Sequence, residues 1–234
     1  MRVLVVENMD GSHLGQVGVA LEEARADIDI RRPYEGDVLP EHTGDHDAIV
    51  VFGGTRSAVD DADHPYLAGV ARLMRRFGDE GKAVLGICLG SQLLARGYDG
   101  ENILGAAREF GWTDVALTPD GEADPVLSAA GPTFSSFAWH SDTFSLPADA
   151  ARLATNATVA NQAFRFGRAA YGTQFHFEAN RAVVEDWKQN FKETILKIDP
   201  EWLKDFAGHA ARSAEMSDTA GLALARAWVG VIKA

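Results

Sequence analysis

The chain has 234 residues, of which 46% are hydrophobic and 24% are charged, and this balance predicts a globular protein with a core of its own. Acidic residues outnumber basic ones by 34 to 22, so the formal charge of -12 disfavours nucleic acid as a partner. The longest apolar runs, 48–52 and 228–232, fall far short of the ~18 residues of a membrane span, so no membrane partner is predicted. The first residues lack the apolar core of a secretory signal and Cys88 is the single cysteine, so we expect a cytoplasmic location.

Strand and helix patterns alternate through the first hundred residues. Apolar strands are predicted at 2–7, 29–32, 48–52 and 83–87. Helices are predicted over 14–21, over 64–81 and from residue 92. Fully apolar strands that alternate with helices are typical of an α/β protein, a doubly wound, mostly parallel sheet flanked by helices.

The pattern changes after about residue 108. Shorter strands are predicted at 112–117, 134–139, 163–168 and 171–177, and we expect them to extend the same sheet. The tail is predicted to be helical over 181–197, then in a second helix capped by Asp199 and Pro200, and in a third that opens at Ser217. We expect this tail to pack on the sheet or to supply a homodimer surface.

Cys88 lies in Gly86-Ile87-Cys88-Leu89-Gly90, between an apolar strand and a helical pattern. This pattern indicates a nucleophile elbow, a sharp strand-to-helix turn that holds the nucleophile in a strained conformation above the sheet. The N-terminus of the following helix stabilises a thiolate, and the next backbone N–H faces a developing oxyanion. The pattern therefore predicts a nucleophilic Cys88. The alternative is a small buried apolar residue, the usual state of a lone cysteine.

A candidate base follows at the end of the last predicted strand, where His176 and Glu178 are two residues apart. Alternate residues of a strand point the same way, so Glu178 is placed to orient the imidazole and to stabilise its protonated form. On its own, such a pair is equally typical of a solvated strand end. It gains weight from Cys88, because an activated cysteine needs a base.

A diglycine turn follows the strand at 48–52. Gly53 and Gly54 lie at the sheet edge where doubly wound folds bind ligands, and the Gly54 N–H is a candidate second oxyanion donor. Many turns between a strand and a helix need a positive φ and carry no chemistry, which is the alternative interpretation.

A second candidate base, His140, lies in Trp139-His140-Ser141-Asp142 after another predicted strand. His140 and Asp142 could also join His176 and Glu178 as ligands of a metal ion. A metal would leave the cysteine elbow unexplained, so no metal is predicted.

These motifs together resemble the class I glutamine amidotransferases. The elbow of that family looks like residues 85–95, and its histidine-glutamate strand looks like residues 171–178. Segments 139–144, 146–147 and 161–164 are similar to a stand-alone, GMP-synthase-like branch, which tends to carry a helical tail. The resemblance implies a flavodoxin-like fold, with a catalytic domain at 1–180 and a helical extension at 181–234 packed on it.

The resemblance also implies roles for the residues of the motifs. Cys88, His176 and Glu178 correspond to the triad, and the backbone of Gly54 and Leu89 corresponds to the oxyanion hole. The residues expected to bind substrate are Gly53, Arg56, Gln92, Ser141 and Asp142, the last three around the glutamyl group.

The chain departs from the family pattern at two places. Phe177 stands where the family usually has proline, and Thr55-Arg56 replaces a proline-containing loop. Neither departure removes a catalytic side chain. Arg56 is placed to meet a substrate carboxylate, or to anchor the loop against Asp60 or Asp61.

The predicted reaction is cleavage of a γ-glutamyl amide through a glutamyl thioester on Cys88, with glutamine or a γ-glutamyl amide as the small-molecule substrate. No cofactor is predicted. The chain has no phosphate-binding glycine loop with lysine to activate an ammonia acceptor. It is therefore expected to be a free-standing hydrolase, or a glutaminase subunit that delivers ammonia to a separate synthetase. A non-catalytic binding or regulatory relative is the third possibility, which the intact cysteine, histidine and glutamate disfavour.

Overall fold

The computed structural model describes residues 1–233, and within them eleven strands and eight α-helices are found. The strands are β1 (Arg2–Val6), β2 (Asp27–Arg31), β3 (Ala48–Val51), β4 (Ala83–Ile87), β5 (Asn102–Ile103), β6 (Glu109–Leu117), β7 (Thr133–His140), β8 (Thr143–Phe144), β9 (Ala151–Thr155), β10 (Ala163–Phe166) and β11 (Ala170–Thr173). The helices are α1 (Gly15–Glu23), α2 (Tyr66–Asp79), α3 (Leu89–Gly97), α4 (Pro119–Glu122), α5 (Arg181–Asn190), α6 (Lys192–Ile198), α7 (Pro200–Lys204) and α8 (Phe206–Val231).

The described residues form one nine-stranded sheet in the order β2-β1-β3-β4-β11-β10-β9-β6-β7, and β5 pairs with β8 beside it. The neighbouring strands from β2 to β11 are parallel, whereas those from β11 to β7 are antiparallel. The predicted α/β fold, a doubly wound sheet with a parallel centre, is confirmed, and the later strands extend the same sheet as expected.

Helices cover both faces of the central strands β1, β3 and β4, which explains why β3 and β4, and β1 from Val3 onward, are apolar. On β1, Val3 and Val5 face a cluster that includes α1 and α8, while Leu4 and Val6 face α2 and α3. With both faces buried, neither set of alternating side chains needs to be polar. The carboxyl ends of β3, β4 and β11 therefore meet at one exposed edge.

The helical tail differs from the prediction in two places. The helix predicted over 181–197 is interrupted at Phe191, between α5 and α6. The helix predicted to open at Ser217 begins at Phe206 and runs for 26 residues as α8. Ser217 is buried inside this helix, so its capping propensity is overridden by packing. The predicted cap is confirmed, because the Asp199 carboxylate accepts hydrogen bonds from the first N–H groups of α7.

The C-terminal part of the sheet also differs in detail. Strand β9 was not predicted, because its residues 151–155 lack a run of β-branched or aromatic side chains. The strand predicted over 171–177 leaves the ladder after Thr173, at the end of β11. The backbone N–H of His176 instead donates to the carbonyl oxygen of Phe137 on β7, 2.7 Å away. This departure carries His176 and Glu178 out over the sheet edge. No helix of residues 1–233 is both long and apolar enough for a bilayer.

Candidate active site

Cys88 occupies the tight turn between β4 and α3. Its φ is 52° and its ψ is -108°, a strained conformation for a residue with a side chain. Its N–H donates to the Thr173 carbonyl oxygen at 2.8 Å, which ties the turn to β11. Cys88 is 6% exposed and lines a cavity at this edge of the sheet. A strained, accessible thiol at a helix N-terminus fits a nucleophile better than a residue that only fills space.

The two glycines of the elbow are needed for close packing. A Cβ on Gly86 would lie 2.4 Å from the carbonyl oxygen of Gly90, and a Cβ on Gly90 would lie 2.0 Å from that of Val51. Neither glycine has a positive φ within the described chain, since the strained φ falls on Cys88 itself. The glycines thus let α3 begin in contact with the strands, which holds Cys88 at the sheet edge.

His176 and Glu178 come together after β11. His176 Nδ1 lies 2.7 Å from Glu178 Oε1, and both side chains are buried. Gly53 lies between this pair and the cysteine: a Cβ there would be 3.0 Å from His176 Cε1 and 3.5 Å from Cys88 Cβ. The absence of a side chain at Gly53 leaves the imidazole and the thiol facing each other.

The electrostatics of His176 favour its protonated form. Burial alone would lower its pKa, but the charges of Glu178 and Cys88 and hydrogen bonds to both outweigh burial and raise the pKa to about 10. An imidazolium next to a cysteine stabilises the thiolate. The pair therefore has the charge distribution that a cysteine nucleophile requires.

The two residues predicted to donate to the oxyanion, Gly54 and Leu89, pack against each other. A Cβ on Gly54 would be 2.9 Å from Leu89 Cδ2, and Leu89 is the first residue of α3. Neither backbone N–H has a hydrogen-bond acceptor among residues 1–233. Two free N–H groups beside a thiol can hold the oxygen of a tetrahedral intermediate.

His140 has a carboxylate partner that the sequence pattern did not indicate. Its Nε2 lies 3.0 Å from Glu109 Oε2 on β6, and its Nδ1 lies 3.0 Å from the carbonyl oxygen of Asp142. Asn156 and Gln162 donate to the same carboxylate at 2.7 Å and 2.5 Å. Burial would raise the pKa of Glu109, but the bonds from His140 and Asn156 lead the effects that lower it. Both ring nitrogens of His140 face acceptors, so neither is available to take a proton from Cys88.

The metal alternative finds no support in this geometry. His140 faces Glu109 and not the His176–Glu178 pair. Among residues 1–233, no three histidine, cysteine, aspartate or glutamate side chains converge as metal ligands do.

The predicted substrate-binding residues line the same cavity at different depths. Gln92 is buried, and its Nε2 is 3.4 Å from the Asp142 carbonyl oxygen. The Asp142 carboxylate accepts a hydrogen bond from the N–H of Gly105, while Ser141 is exposed. These side chains lie on the wall formed by α3 and by the loop after β7.

Arg56 has different partners from those expected. Its Nη1 donates to the carbonyl oxygen of Asn8 at 2.7 Å, and its Nε donates to His64 Nε2 at 2.9 Å. Asp61 pairs with Arg96 instead, so the expected anchor to Asp60 or Asp61 is wrong. Arg56 fixes the loop after β3 against the end of β1 and lines the cavity from that side.

The opposite wall comes from the tail, which the sequence motifs did not assign to the site. The cavity has a volume of about 540 Å³. Tail residues that line it are Trp187, Phe191, Thr194, Lys197 and Ile198. No short motif connects these residues to the elbow, because they reach it only through the packing of α5 and α6.

The sequence and the fold are similar to those of known proteins. The family Glutamine amidotransferase class-I matches residues 7–187. The glutamine amidotransferase-like protein YfeJ of Salmonella typhimurium is 29% identical over 167 residues, which cover 70% of each chain. One of the subunits of the glutamine-hydrolyzing GMP synthase of Natronomonas pharaonis is 30% identical over 195 residues, which cover 82% of this chain and 96% of that relative.

Two crystal structures share the fold over nearly the whole chain. A glutamine amidotransferase of Thermotoga maritima superposes with a TM-score of 0.86 at 26% identity and covers 100% of this chain and 99% of its own. A glutamine amido transferase of Methylobacillus flagellatus superposes with a TM-score of 0.80 at 25% identity and covers 98% and 94%. Because the family match spans most of the sequence and the fold agrees along its length, the chain belongs to the class I glutamine amidotransferases.

Proposed function

We propose that the protein hydrolyses γ-glutamyl amides, with Cys88 as nucleophile, His176 as acid and base, and Glu178 as the residue that orients the imidazole. One observation carries the proposal: a strained cysteine at an elbow and a buried His176–Glu178 pair face the same cavity. The imidazolium and the N-terminus of α3 both stabilise the thiolate that starts the reaction.

In the first half-reaction, the Cys88 thiolate attacks the γ-carbonyl carbon of the substrate. The N–H groups of Gly54 and Leu89 hold the oxyanion, and His176 Nε2 donates its proton to the departing nitrogen as the C–N bond breaks. A glutamyl thioester remains on Cys88. His176, now neutral, takes a proton from water, whose oxygen attacks the thioester carbon and releases glutamate and the Cys88 thiolate, so that the thiolate and the imidazolium are restored.

The wall around Gln92, Ser141 and Asp142 is proposed to bind the glutamyl half of the substrate. The Asp142 carboxylate suits the glutamyl ammonium group, and Gln92 presents an amide beside it. Gly53 leaves the space through which the γ-amide reaches the thiol.

A second candidate is a glutaminase subunit that passes ammonia to a separate synthetase. This candidate is favoured by the similarity to a relative that is named as a subunit of a GMP synthase. The chemistry at Cys88 is the same in both cases, and the two differ in the leaving group and in whether a partner is needed.

The test is a combination of covalent labelling and product release. A glutamine-like diazo-ketone is expected to add once to the wild-type protein and not to Cys88→Ala, as measured by intact mass. The isolated chain is expected to release glutamate from γ-glutamyl amides. An adduct that persists in Cys88→Ala would contradict the assignment of the nucleophile. Glutamate release that appears only after a synthetase is added would favour the second candidate.

A further inference from the structure

The cavity extends past the triad on the side of His176. The ring of Trp187 packs edge-on against the imidazole of His176, with their centres 5.1 Å apart. His176 gives its proton to the leaving nitrogen in the proposed reaction, so Trp187 marks the side on which the leaving group departs. When the substrate is glutamine, that group is ammonia, which needs no binding surface.

An aromatic wall continues outward from Trp187. Trp139 lies 6.2 Å from Trp187, and Phe191 lies 5.7 Å from Trp139, both in edge-to-face geometry. Trp139 and Phe191 are half-buried and line the cavity. Ile198 adds an aliphatic side chain from α6. Such a surface stabilises a bound apolar group by removing it from water.

The rim of the cavity carries unpaired positive charge. Lys197 and Arg108 line the cavity, and neither side chain forms an ion pair or hydrogen bond with any described residue of 1–233. The acidic side chains of the cavity, in contrast, already have donors: His176 for Glu178, His140 for Glu109 and the Gly105 N–H for Asp142. In a chain of net charge -12, free cations at this rim favour an anionic ligand group.

Lys197 is the cation on the leaving-group side. It lies near the end of α6, next to Ile198, and Phe191 directly precedes the first residue of the same helix. Arg108 lies on the other side, because its neighbour Ala107 donates a hydrogen bond to the carbonyl oxygen of Ser141. An apolar surface and a cation thus occur together where the leaving amine must lie.

We propose that Trp139, Trp187, Phe191 and Lys197 form a subsite for the amine half of a γ-glutamyl dipeptide whose second residue is aromatic or large and aliphatic. The inference rests on the proposed hydrolysis at Cys88. The aromatic wall takes the side chain of the second residue, and Lys197 takes its carboxylate. The amide C–N bond breaks, the amine of the second residue receives the proton of His176, and water completes the hydrolysis to glutamate.

Other amines fit this subsite less well. A γ-glutamyl diamine would place its free ammonium group near Lys197, where like charges repel. γ-Glutamylglycine has the carboxylate but no side chain to bury. Glutamine offers neither group.

A substrate panel tests the subsite. Glutamate release by the isolated chain is measured with γ-glutamylphenylalanine, γ-glutamylphenethylamide, γ-glutamylglycine, γ-glutamyl-1,4-diaminobutane and glutamine. We expect kcat/KM for γ-glutamylphenylalanine to exceed that for γ-glutamylglycine by about tenfold, as burial of a side chain provides. It should exceed that for γ-glutamylphenethylamide by about fivefold, because the amide lacks the carboxylate.

Two variants test which residue causes the preference for a carboxylate and which causes the preference for a large side chain. Lys197→Ala should bring the ratio between γ-glutamylphenylalanine and γ-glutamylphenethylamide close to one, and Phe191→Ala should reduce the ratio between γ-glutamylphenylalanine and γ-glutamylglycine. Lys192→Ala and Leu196→Ala are matched controls on α6, since both side chains lie outside the cavity lining. Both controls should keep the wild-type ratios.

The outcomes separate this inference from the proposed function. Glutamate release with no preference for γ-glutamylphenylalanine, or with a preference for the diamine, overturns the subsite and leaves hydrolysis at Cys88 standing. A lack of both glutamate release and a diazo-ketone adduct refutes the proposed function, and the subsite with it. Calorimetric binding of γ-glutamylphenylalanine to Cys88→Ala, compared with Cys88→Ala/Lys197→Ala, checks the subsite without turnover. Equal affinities would overturn the role of Lys197.

Discussion

His176 Nδ1 donates to Glu178 Oε1 across 2.7 Å, and the second carboxylate oxygen of Glu178 is buried with no partner among residues 1–233. The charge of the carboxylate is therefore directed at the imidazole alone. Because Nδ1 is held in this way, Nε2 is left to face Cys88 across the space at Gly53. This relationship determines both the tautomer and the proton affinity of the histidine.

We expect Glu178→Gln to lower the pKa of His176. In the wild type, burial opposes the proton, but Glu178 and Cys88 raise the pKa to about 10. Removing the carboxylate charge takes away one of the effects that raise this pKa. Burial, which lowers it, then weighs more, so the imidazolium loses its proton at a lower pH. The measurement is a titration of the His176 Cε1–H signal by NMR. An unchanged midpoint in Glu178→Gln would contradict the electrostatic role of Glu178.

The same shift makes stability depend on pH. The folded-state pKa of His176, about 10, lies above the ordinary value of 6.5. The stabilisation that protonated His176 provides is therefore complete below pH 6.5, and it is lost as the pH rises through the folded-state pKa. We expect the difference in free energy of unfolding between wild type and Glu178→Gln to be largest below pH 6.5 and to shrink as the pH rises toward about 10. Urea denaturation at several pH values gives this difference, and a constant gap would argue against the linkage.

Cys88→Ala should abolish turnover and keep the fold, because it removes one sulfur and retains the backbone geometry. Cys88→Gly is the informative comparison. The native φ of 52° at position 88 strains any residue with a Cβ, at a cost of about 1–3 kcal/mol that glycine avoids. Glycine loses more entropy on folding, so we expect Cys88→Gly to be the more stable variant by about 1 kcal/mol. Denaturant midpoints in the reverse order would show that the turn is not strained.

Alanine substitutions of the two candidate bases, His176 and His140, should have different effects. His176→Ala is expected to lower kcat/KM by about 10²–10⁴-fold, the range for loss of a general base. His140→Ala removes one of three side chains that hydrogen-bond the buried Glu109 carboxylate, and loss of a hydrogen bond to a charged group costs about 1.5–3 kcal/mol of stability. Thermal denaturation and kcat/KM are measured on both variants. A greater loss of rate at His140, with stability unchanged, would move the role of base to that residue.

The elbow glycines should be intolerant of any side chain. Gly90→Ala places a Cβ 2.0 Å from the Val51 carbonyl oxygen, so backbone must move. We expect a loss of about 3 kcal/mol or more, at the upper end for overpacking. Gly230→Ala is the control: it lies on the exposed end of α8 with no atom near the added Cβ, and it should stabilise the helix by about 0.5–1 kcal/mol. Equal effects of the two substitutions would contradict the packing explanation.

The sequence alone determined the features that depend on near neighbours in the chain. The glycines around Cys88 and the two-residue spacing of His176 and Glu178 are local patterns, and both lie where the motifs indicated. The apolar strands β1, β3 and β4 were predictable because burial on both faces leaves an uninterrupted apolar run.

Only the tertiary structure decided which distant residues meet. Glu109 reaches His140 because β6 and β7 are antiparallel neighbours in one register, and nothing in either strand alone indicates the pair. Phe191 and Lys197 reach the cavity because the tail breaks between α5 and α6. Local periodicity predicts the type of an element and the face it buries. It carries no information on which surfaces of other elements will lie against that face, because those contacts depend on the packing of the whole chain.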